Sequence, residues 1–391
     1  MKSNVLWKTF LKDAFICSLG AYGGPEAHYG VFIDQLVVKK QYLSEEEMVE
    51  LIALTGILPG PSSTQTLVAI GYKVGGPLLA FLTLIVWALP VILVMTLLSF
   101  LWQFFNSVNL TTDIMRFISP MAVGFIALAA YRLGTKVITS SMTAILFLFG
   151  ALTTYLIQSP WIYPTVLLFG GLVSVWLSKE KNLFYKISVK PPWVYLGWFA
   201  FFAMTSLIIT FIAEVPLLAM FERFYRYGYL VIGGGQVVVP LMYGELVEIN
   251  QLMTSQQFLT GFGLVQGLPG PMFSFSAYAG GIAASTYGPL IQVASALLSG
   301  VAIFLPGVLL IFFVYPIWEE VRRIQGIKVA LKGITAVAAG LIGASAIILL
   351  QRNGVTLPNV SIVLLTTALL YSKKVPAPLI VVFMIALGLI L

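Results

Sequence analysis

A run of uncharged hydrogen-bond donors follows a proline-rich break early in the chain. Ser62-Ser63-Thr64-Gln65-Thr66 comes directly after Leu58-Pro59-Gly60-Pro61. A helix that starts after such a break presents unpaired backbone N–H groups and the positive end of its dipole. Together with the hydroxyls, these groups suit a tetrahedral oxyanion, which then needs no buried arginine. The run predicts an anion site, although hydroxyls that bond between neighbouring helices explain the same pattern.

The break occurs a second time. Leu268-Pro269-Gly270-Pro271 repeats the first break, and Gly233-Gly234 repeats Gly23-Gly24, both at an offset of 210 residues (269 − 59 = 210). Ten of the 39 positions from Gly23 to Pro61 are identical at that offset. Glycine lets a backbone approach a ligand closely, and proline begins helices. We therefore expect four helix starts that meet near the membrane midplane.

The predicted substrate-binding residues are the glycines and prolines of these breaks and the donors that follow them. They are Gly23, Gly24, Pro25, Gly60, Pro61, Ser62, Ser63, Thr64, Gly233, Gly234, Gly270, Pro271 and Ser274. The second repeat has Gly235 where the first has Pro25, and Phe273 where the first has Ser63. The site is therefore expected to be asymmetric and to rely mainly on the first repeat.

Glu26 and His28 are the candidate proton-coupling residues. They follow the first glycine pair, and ionisable groups at membrane depth are functional candidates by default. A position at the membrane interface, where both would be solvated, is the alternative. The chain has one histidine and one cysteine, Cys17. No catalytic residue, metal site, cofactor or internal disulfide is therefore predicted.

The composition places these residues in a membrane protein. Hydrophobic residues make up 59% of the 391 residues and charged residues only 9%. A soluble domain carries about 25% charged residues, and disordered chains are poor in apolar ones. The net charge is 22 − 15 = +7, but the basic residues lie singly or in small groups between apolar blocks, which argues against nucleic acid. No cleaved signal peptide is predicted from the N-terminal residues.

The predicted fold is an all-α polytopic membrane protein with two inverted-topology repeats of broken helices. The repeats are residues 1–180 and 215–391, and residues 181–214 form a linker with one transmembrane helix. Capping boxes at Ser44 and Thr254 start helices of about 14 residues, or roughly 21 Å. Because the membrane core is about 30 Å thick, these helices are expected to stop inside it.

The lysine and arginine distribution predicts the inversion. Lys39-Lys40 has no basic counterpart in the second repeat, where Glu245 and Glu248 lie. Conversely, some loops of the second repeat are basic where the equivalent loops of the first repeat have no Lys or Arg. Their basic residues are Arg322, Arg323, Lys328, Lys373 and Lys374. Cytoplasmic loops collect Lys and Arg, which predicts a cytoplasmic N-terminus and an external C-terminus. Arg352 conflicts, because it falls in a loop predicted to be outside.

The chain resembles the chromate ion transporter family at these residues. The resemblance rests on Leu19-Gly-Ala-Tyr-Gly-Gly-Pro25, on Leu58-Pro-Gly-Pro61, and on their echoes at 233–235 and 268–271. It covers nearly the whole chain, as in the long two-repeat members. It implies a bacterial inner-membrane protein that exports chromate, with sulfate as a structural mimic. The partners expected are this oxyanion and membrane lipid, with no nucleic acid and with a homodimer left open.

Other functions remain open at this point. A passive anion channel on the same scaffold, or a transporter of another small anion, has the same sequence features. An intramembrane enzyme would need a nucleophile–base or metal constellation, and His28 with Glu26 is the only candidate. A non-catalytic membrane scaffold does not require the duplicated Pro-Gly-Pro breaks.

Overall fold

The computed structural model describes residues 6–390 except 108–114, 158–161, 181–182, 184–189, 213–214 and 233–237. The described residues are almost entirely helical and contain no β-strand. Five helices among them are long and apolar enough to cross a membrane: Ser62–Phe105, Ile118–Val137, Trp193–Thr210, Pro289–Val321 and Gln325–Asn353. The predicted all-α polytopic membrane fold is confirmed.

The described helices of the first half lie within the segment predicted as the first repeat, residues 1–180. They are α1 (Trp7–Gly20), α2 (Pro25–Phe32), α3 (Glu45–Ile57), α4 (Ser62–Ser107), α5 (Ile118–Val137), α6 (Ser141–Leu156) and α7 (Ile162–Trp176). Helix α8 (Trp193–Ile212) coincides with the segment predicted to link the repeats.

The second half has more and shorter helices. They are α9 (Pro216–Leu230), α10 (Val238–Tyr243), α11 (Ser255–Val265), α12 (Phe275–Ala283), α13 (Pro289–Ala302), α14 (Leu305–Val314), α15 (Trp318–Val321), α16 (Gln325–Asn353), α17 (Leu357–Tyr371) and α18 (Ala377–Ile390). Short 3-10 turns precede α12, α13 and α15.

The chain forms two compact units, and each contains parts of both sequence repeats. Unit 1 comprises Met1–Ser99, Ile187–Tyr229 and Leu268–Arg323. Unit 2 comprises Phe100–Lys186, Leu230–Gly267 and Ile324–Leu391. The two breaks at Gly60 and Gly270 both belong to unit 1.

Gly-Pro steps end and restart the helices of unit 1. The sequence contains five such steps, and their glycines all have positive φ: Gly24, Gly60, Gly76, Gly270 and Gly288. This left-handed backbone is open to glycine without steric cost, and the proline that follows has a φ suited to a helix start. The proline is the first helical residue at Pro25 and Pro289, whereas Pro61 and Pro271 directly precede the next helix.

The two repeats share local backbone geometry as well as sequence. π-helical turns follow α2 and α10, at Ile33–Lys39 and Gly244–Ile249. Gln41 and Gln251, 210 residues apart, both have positive φ, at 52° and 48°. Both predicted capping boxes are present, with Ser44 and Thr254 each bonded to the residue three positions later.

Two boundaries differ from the sequence expectation. The helix after the first break begins at Ser62, one residue later than expected, so Pro61 precedes it. From the sequence, Pro90 predicts a kink or a division of the apolar block that starts at Gly76. The non-helical residues of α4 are instead Gly75 and Gly76, and Pro90 lies within the helix. Two adjacent glycines can adopt non-helical backbone angles at little steric cost, whereas neighbouring helices can keep a helix continuous through a single proline.

Unit 2 is built around α16, which packs against α5, α6 and α7. Small residues make this packing possible. A Cβ on Gly340 would lie 2.0 Å from the carbonyl oxygen of Phe147, and one on Gly333 would lie 2.1 Å from that of Gly170. Backbones that approach this closely through glycine are typical of transmembrane helix packing.

Candidate functional site

Helix α2 starts at the first glycine pair. Gly23 and Gly24 have φ of 84° and 95°, and Pro25 is the first helical residue. The N-cap residue is Gly24, which has no side chain to bond the first N–H groups. Glu26 is exposed in the first turn, whereas His28 is only 2% exposed. The helix therefore starts at the glycine pair, as the sequence predicts, with no cap from its N-cap residue.

His28 connects α2 to the first turn of α4. Its Nδ1 lies 2.9 Å from Ser63 Oγ, and the tautomer decides which of the two atoms donates the hydrogen bond. The imidazole also packs edge-on against the Trp87 indole, with ring centroids 5.3 Å apart. Its other nitrogen, Nε2, is buried and has no hydrogen-bond partner among the described residues.

Trp87 joins the elements of the site. Its indole Nε1–H donates to Thr64 Oγ1 at 3.0 Å, and its carbonyl accepts a hydrogen bond from Ser18 Oγ at 2.9 Å. All of these side chains are buried. We call Ser18, His28, Ser63, Thr64 and Trp87 the central polar cluster.

The second break lies against this cluster. The Gly270 N–H donates to the carbonyl of Ala21 at 2.8 Å, just before the first glycine pair. A Cβ on Gly270 would lie 3.4 Å from Ser18 Oγ and 3.7 Å from the Trp87 carbonyl oxygen. Pro271 then leads into the 3-10 turn Met272–Ser274 before α12. The structure thus brings the second break next to the first glycine pair.

The first break is held by a different contact. Gln65 Nε2 donates to the carbonyl of Pro59 at 2.8 Å and to that of Gly307 at 3.2 Å. Gly60 has φ of 129°, and a Cβ on it would lie 2.7 Å from Gln65 Nε2 and 3.2 Å from Gly307 Cα. Glycine is needed here for its backbone conformation and for the close approach of a second backbone.

Three of these residues were missed by the sequence analysis: Ser18, Trp87 and Gly307. Gly307 had a signal, because Leu305-Pro306-Gly307 is a third copy of the Leu-Pro-Gly that opens both breaks. Trp87 lies inside a uniformly apolar block and Ser18 inside α1, so neither stands out in the sequence.

Not all predicted site residues come together. Glu26 and His28 are two residues apart on a helix, which places them on different sides, and only His28 reaches the cluster. Ser274 is fully buried, and its Oγ has no hydrogen-bond partner among the described residues. Gly233 and Gly234 lie outside the described residues.

The donors of the cluster are already engaged with one another. Ser63 is bonded to His28, Thr64 accepts from Trp87, and Thr66 donates to the Ser62 carbonyl. An anion at this place would therefore use the backbone N–H groups of the helix starts and would exchange some of these bonds. The cluster is thus a set of neutral hydrogen-bonding groups without a lysine or arginine.

Comparison with protein-family models identifies the family to which the chain belongs. The protein-family model described as chromate transporter matches residues 7–175 and again residues 218–389. The chain belongs to the chromate transporter family. Proteins of this family are transporters rather than enzymes, so the chain's function is transport across a membrane.

Individual relatives agree with this family. The chain is 26% identical over 389 residues to a probable chromate transport protein of Synechococcus elongatus, covering 96% of this chain and 94% of the relative. It is 26% identical to the chromate transport protein of Cupriavidus metallidurans, covering 94% of this chain and 89% of the relative. The uncharacterized transporter YwrA of Bacillus subtilis is 25% identical over 42% of this chain and 94% of the relative. No solved structure matches the chain.

Proposed function

We propose that this transporter is a secondary transporter of a tetrahedral oxyanion, with chromate as the substrate and sulfate as its mimic, and that it exports the anion across the bacterial inner membrane. The observation that carries the proposal is the convergence of broken helices in unit 1. The starts of α2 and α4 meet through His28 and Ser63, and the second break touches the same cluster at Gly270.

The chemistry of the cluster supports an oxyanion as the ligand. Chromate and sulfate offer four oxygens as hydrogen-bond acceptors, and helix starts supply N–H donors and a positive dipole end. The cluster contains hydroxyls, an imidazole and an indole N–H but no lysine or arginine. Selectivity then rests on the number and placement of donors, which favours a tetrahedral ligand over a planar one.

Contacts within unit 2 support the predicted topology. The loops assigned to the cytoplasm are joined by Gly326 N–H donating to the Leu183 carbonyl at 2.8 Å. The loops assigned to the outside are joined by Arg352 Nε and Glu248 Oε1 at 3.3 Å. The basic Arg352, which conflicted with the charge rule, therefore pairs with an acidic residue of a loop assigned to the same side.

Helix lengths in unit 1 support re-entrant segments. Helix α1 has 14 residues and α3 has 13, or about 20 Å each, which is shorter than the roughly 30 Å membrane core. Lys73, beyond the first break, pairs with Glu47 at the start of α3. This pair supports a segment from Glu45 to Lys73 that leaves one side of the membrane and returns to it around Gly60.

The membrane potential favours export. Moving one charge through 100 mV is worth about 2.3 kcal/mol, so a dianion leaving a negative interior gains roughly 4.6 kcal/mol. That corresponds to more than a thousandfold concentration ratio. Export can run on the potential alone, and His28 and Glu26 become coupling residues only if transport proves to be linked to protons.

Flux through proteoliposomes tests the proposal. The purified chain should move chromate when a potential is imposed, and sulfate should compete. Ser63→Ala removes the partner of His28 and should lower the flux several-fold. Ser206→Ala is the matched control, because among the described residues the Ser206 hydroxyl donates only to the carbonyls of Phe202 and Ala203 in its own helix. Absence of flux for every oxyanion contradicts the function, and equal flux in both variants removes the site.

A passive channel is the second candidate, and the same vesicles separate it. A transporter exchanges labelled chromate inside for unlabelled chromate outside, and its rate saturates. A channel gives no exchange stimulation and carries currents measurable in planar bilayers.

A further inference from the structure

A second feature of unit 1 lies away from the central polar cluster. A cavity of about 520 Å³ opens beside α1 and the π-helical turn after α2. Since a water molecule occupies about 30 Å³ in the liquid, this space holds a tetrahedral oxyanion with part of its hydration shell. Its lining is Lys8, Thr9, Lys12, Asp13, Ile16, Gln35 and Lys40.

The charges around this cavity do not balance. Asp13 is only 2% exposed and is bound by Tyr42 Oη at 2.6 Å, Gln35 Nε2 at 3.4 Å and Lys40 Nζ at 3.3 Å. Lys40 is therefore neutralised, while Lys8 and Lys12 have no ion-pair partner among the described residues. The lining carries three lysines and one aspartate, which leaves two positive charges (3 − 1 = 2).

The two unpaired lysines are solvent-exposed, and their placement on α1 is mildly unfavourable. Lys8 and Lys12 are four residues apart on α1, so their ammonium groups lie on the same face and repel each other. Lys8 also lies in the first turn of α1, where the helix dipole disfavours a cation. An anion in the cavity relieves the repulsion between the two ammonium groups.

We propose that this lysine cavity is a peripheral binding site for a tetrahedral oxyanion and that it collects the dianion before transport. The excess of two positive charges matches a dianion. In the proposed topology, with a cytoplasmic N-terminus, Lys8, Lys12 and Lys40 lie on the cytoplasmic side, where an exported substrate enters. The collecting role rests on that proposed function, whereas binding of the anion does not.

A purely topological role for the lysines is the competing explanation, because cytoplasmic loops collect positive charge anyway. That explanation requires neither a cavity nor a buried carboxylate within the lysine set. Lys39 shows the difference. It is next to Lys40 but lies outside the cavity lining and pairs with Asp34 at 2.6 Å on an exposed surface.

Transport kinetics test the collecting role. In the full chain in phosphatidylcholine vesicles, Lys8→Gln with Lys12→Gln should raise the KM for chromate about tenfold and leave the maximal rate unchanged. The wild-type KM should rise steeply with ionic strength, and the variant should lose most of that dependence. The matched control is Lys39→Gln with Lys179→Gln, which removes the same charge from the same predicted side. An equal KM increase in both double variants overturns the proposal.

Asp13→Asn gives a result of opposite sign. It removes the negative charge of the lining, so binding of labelled sulfate to the detergent-purified protein should tighten several-fold in equilibrium dialysis. If Asp13 is only a structural partner of Tyr42, the variant binds sulfate equally or more weakly. Equal or weaker binding by a variant that elutes as wild type in size-exclusion chromatography overturns the proposal.

The dialysis and the vesicles distinguish the sources of failure. If the wild type moves no chromate but the double lysine variant still loses sulfate binding, the proposed function fails and the cavity site stands. The phosphate group of an anionic lipid is also a tetrahedral oxyanion and could occupy the same cavity. If the lysine variants change kinetics only in vesicles that contain phosphatidylglycerol, the cavity binds lipid and the collecting role is overturned.

Discussion

At the scale of single residues, Trp87 determines how the candidate site is assembled. It is fully buried, and its ring, its indole N–H and its carbonyl each contact a different segment. Tryptophan suits this task because it combines a large apolar ring with one polar handle. The positions of Thr64, His28 and Ser18 relative to one another depend on it.

Trp87→Phe should weaken the site while preserving its packing. The variant keeps an aromatic ring but loses the hydrogen bond to Thr64, which is worth about 1 kcal/mol. We expect a several-fold lower chromate flux in proteoliposomes and a lower melting temperature in detergent. Trp318→Phe is the control, because Trp318 Nε1 is buried without a hydrogen-bond partner among the described residues. If both variants behave alike, Trp87 contributes only its ring.

Gly60→Ala should destabilise the protein, whereas Gly56→Ala should not. Alanine at position 60 combines a strained positive φ with contact below 3 Å to Gln65 and should cost about 1–3 kcal/mol. Gly56 is an exposed helical residue with open space around its Cβ position, so alanine should stabilise α3 by up to about 1 kcal/mol. Thermal denaturation of the two purified variants measures the difference. Equal melting temperatures would show that the first break tolerates a side chain.

At the scale of elements, ion pairs hold the start of α3. Glu47 pairs with Lys73 of α4, and Glu50 lies 2.6 Å from Arg322. The hydrogen bond from Lys73, with the Ser44 backbone N–H as the second cause, holds the pKa of Glu47 below its ordinary value. The pairs connect α3 to α4 and to Arg322, which directly follows α15.

Glu47→Gln separates this ion pair from the helix cap. Glutamine also completes a capping box, as Gln257 does in the second repeat, so α3 should keep its start. A carboxylate whose folded pKa is lowered stabilises the fold above its unfolded pKa, near 4.3, and loses this contribution as pH falls further. The wild-type melting temperature should therefore fall more steeply than the variant's below about pH 4.3. Parallel curves would mean that the Glu47–Lys73 pair contributes nothing measurable.

The buried fraction of a membrane-spanning helix differs strongly between α8 and α16. Only 6% of the Trp193–Thr210 segment is buried, against 72% of the corresponding segment in Gln325–Asn353. A helix that needs only to cross the lipid can expose apolar side chains on nearly all sides. Helix α8 therefore fits the predicted linker, and α16 fits the packing centre of unit 2.

At the scale of the whole molecule, topology is the central prediction. Cys17 is the only cysteine and is buried, so Cys17→Ala gives a background for single-cysteine labelling. Lys39 and Ile249 are exposed and related by the offset of 210. Inverted repeats predict that Lys39→Cys is labelled only from the cytoplasm and Ile249→Cys only from outside, with membrane-impermeant maleimide. Labelling of both from one side would mean parallel repeats.

The sequence by itself determined the class of protein, the repeat and the backbone breaks. Charge scarcity excludes a soluble fold, and Gly-Pro steps fix positive φ and helix starts locally, wherever the segment lies in the fold. The capping boxes and the equivalent positive φ of Gln41 and Gln251 are local for the same reason. These features depend on neighbouring residues only, and the structure shows them where the sequence has them.

The tertiary structure decided which residues meet. The links from Trp87 to Thr64 and from Gln65 to Gly307, the burial of His28 but not Glu26, and the gathering of Lys8 and Lys12 at one cavity are long-range or depend on helix orientation. In a membrane protein both the packed and the lipid-facing sides of a helix are apolar, so periodicity does not show which side is buried. Only the packing of helices in three dimensions selects that side, and with it the partners of each polar group.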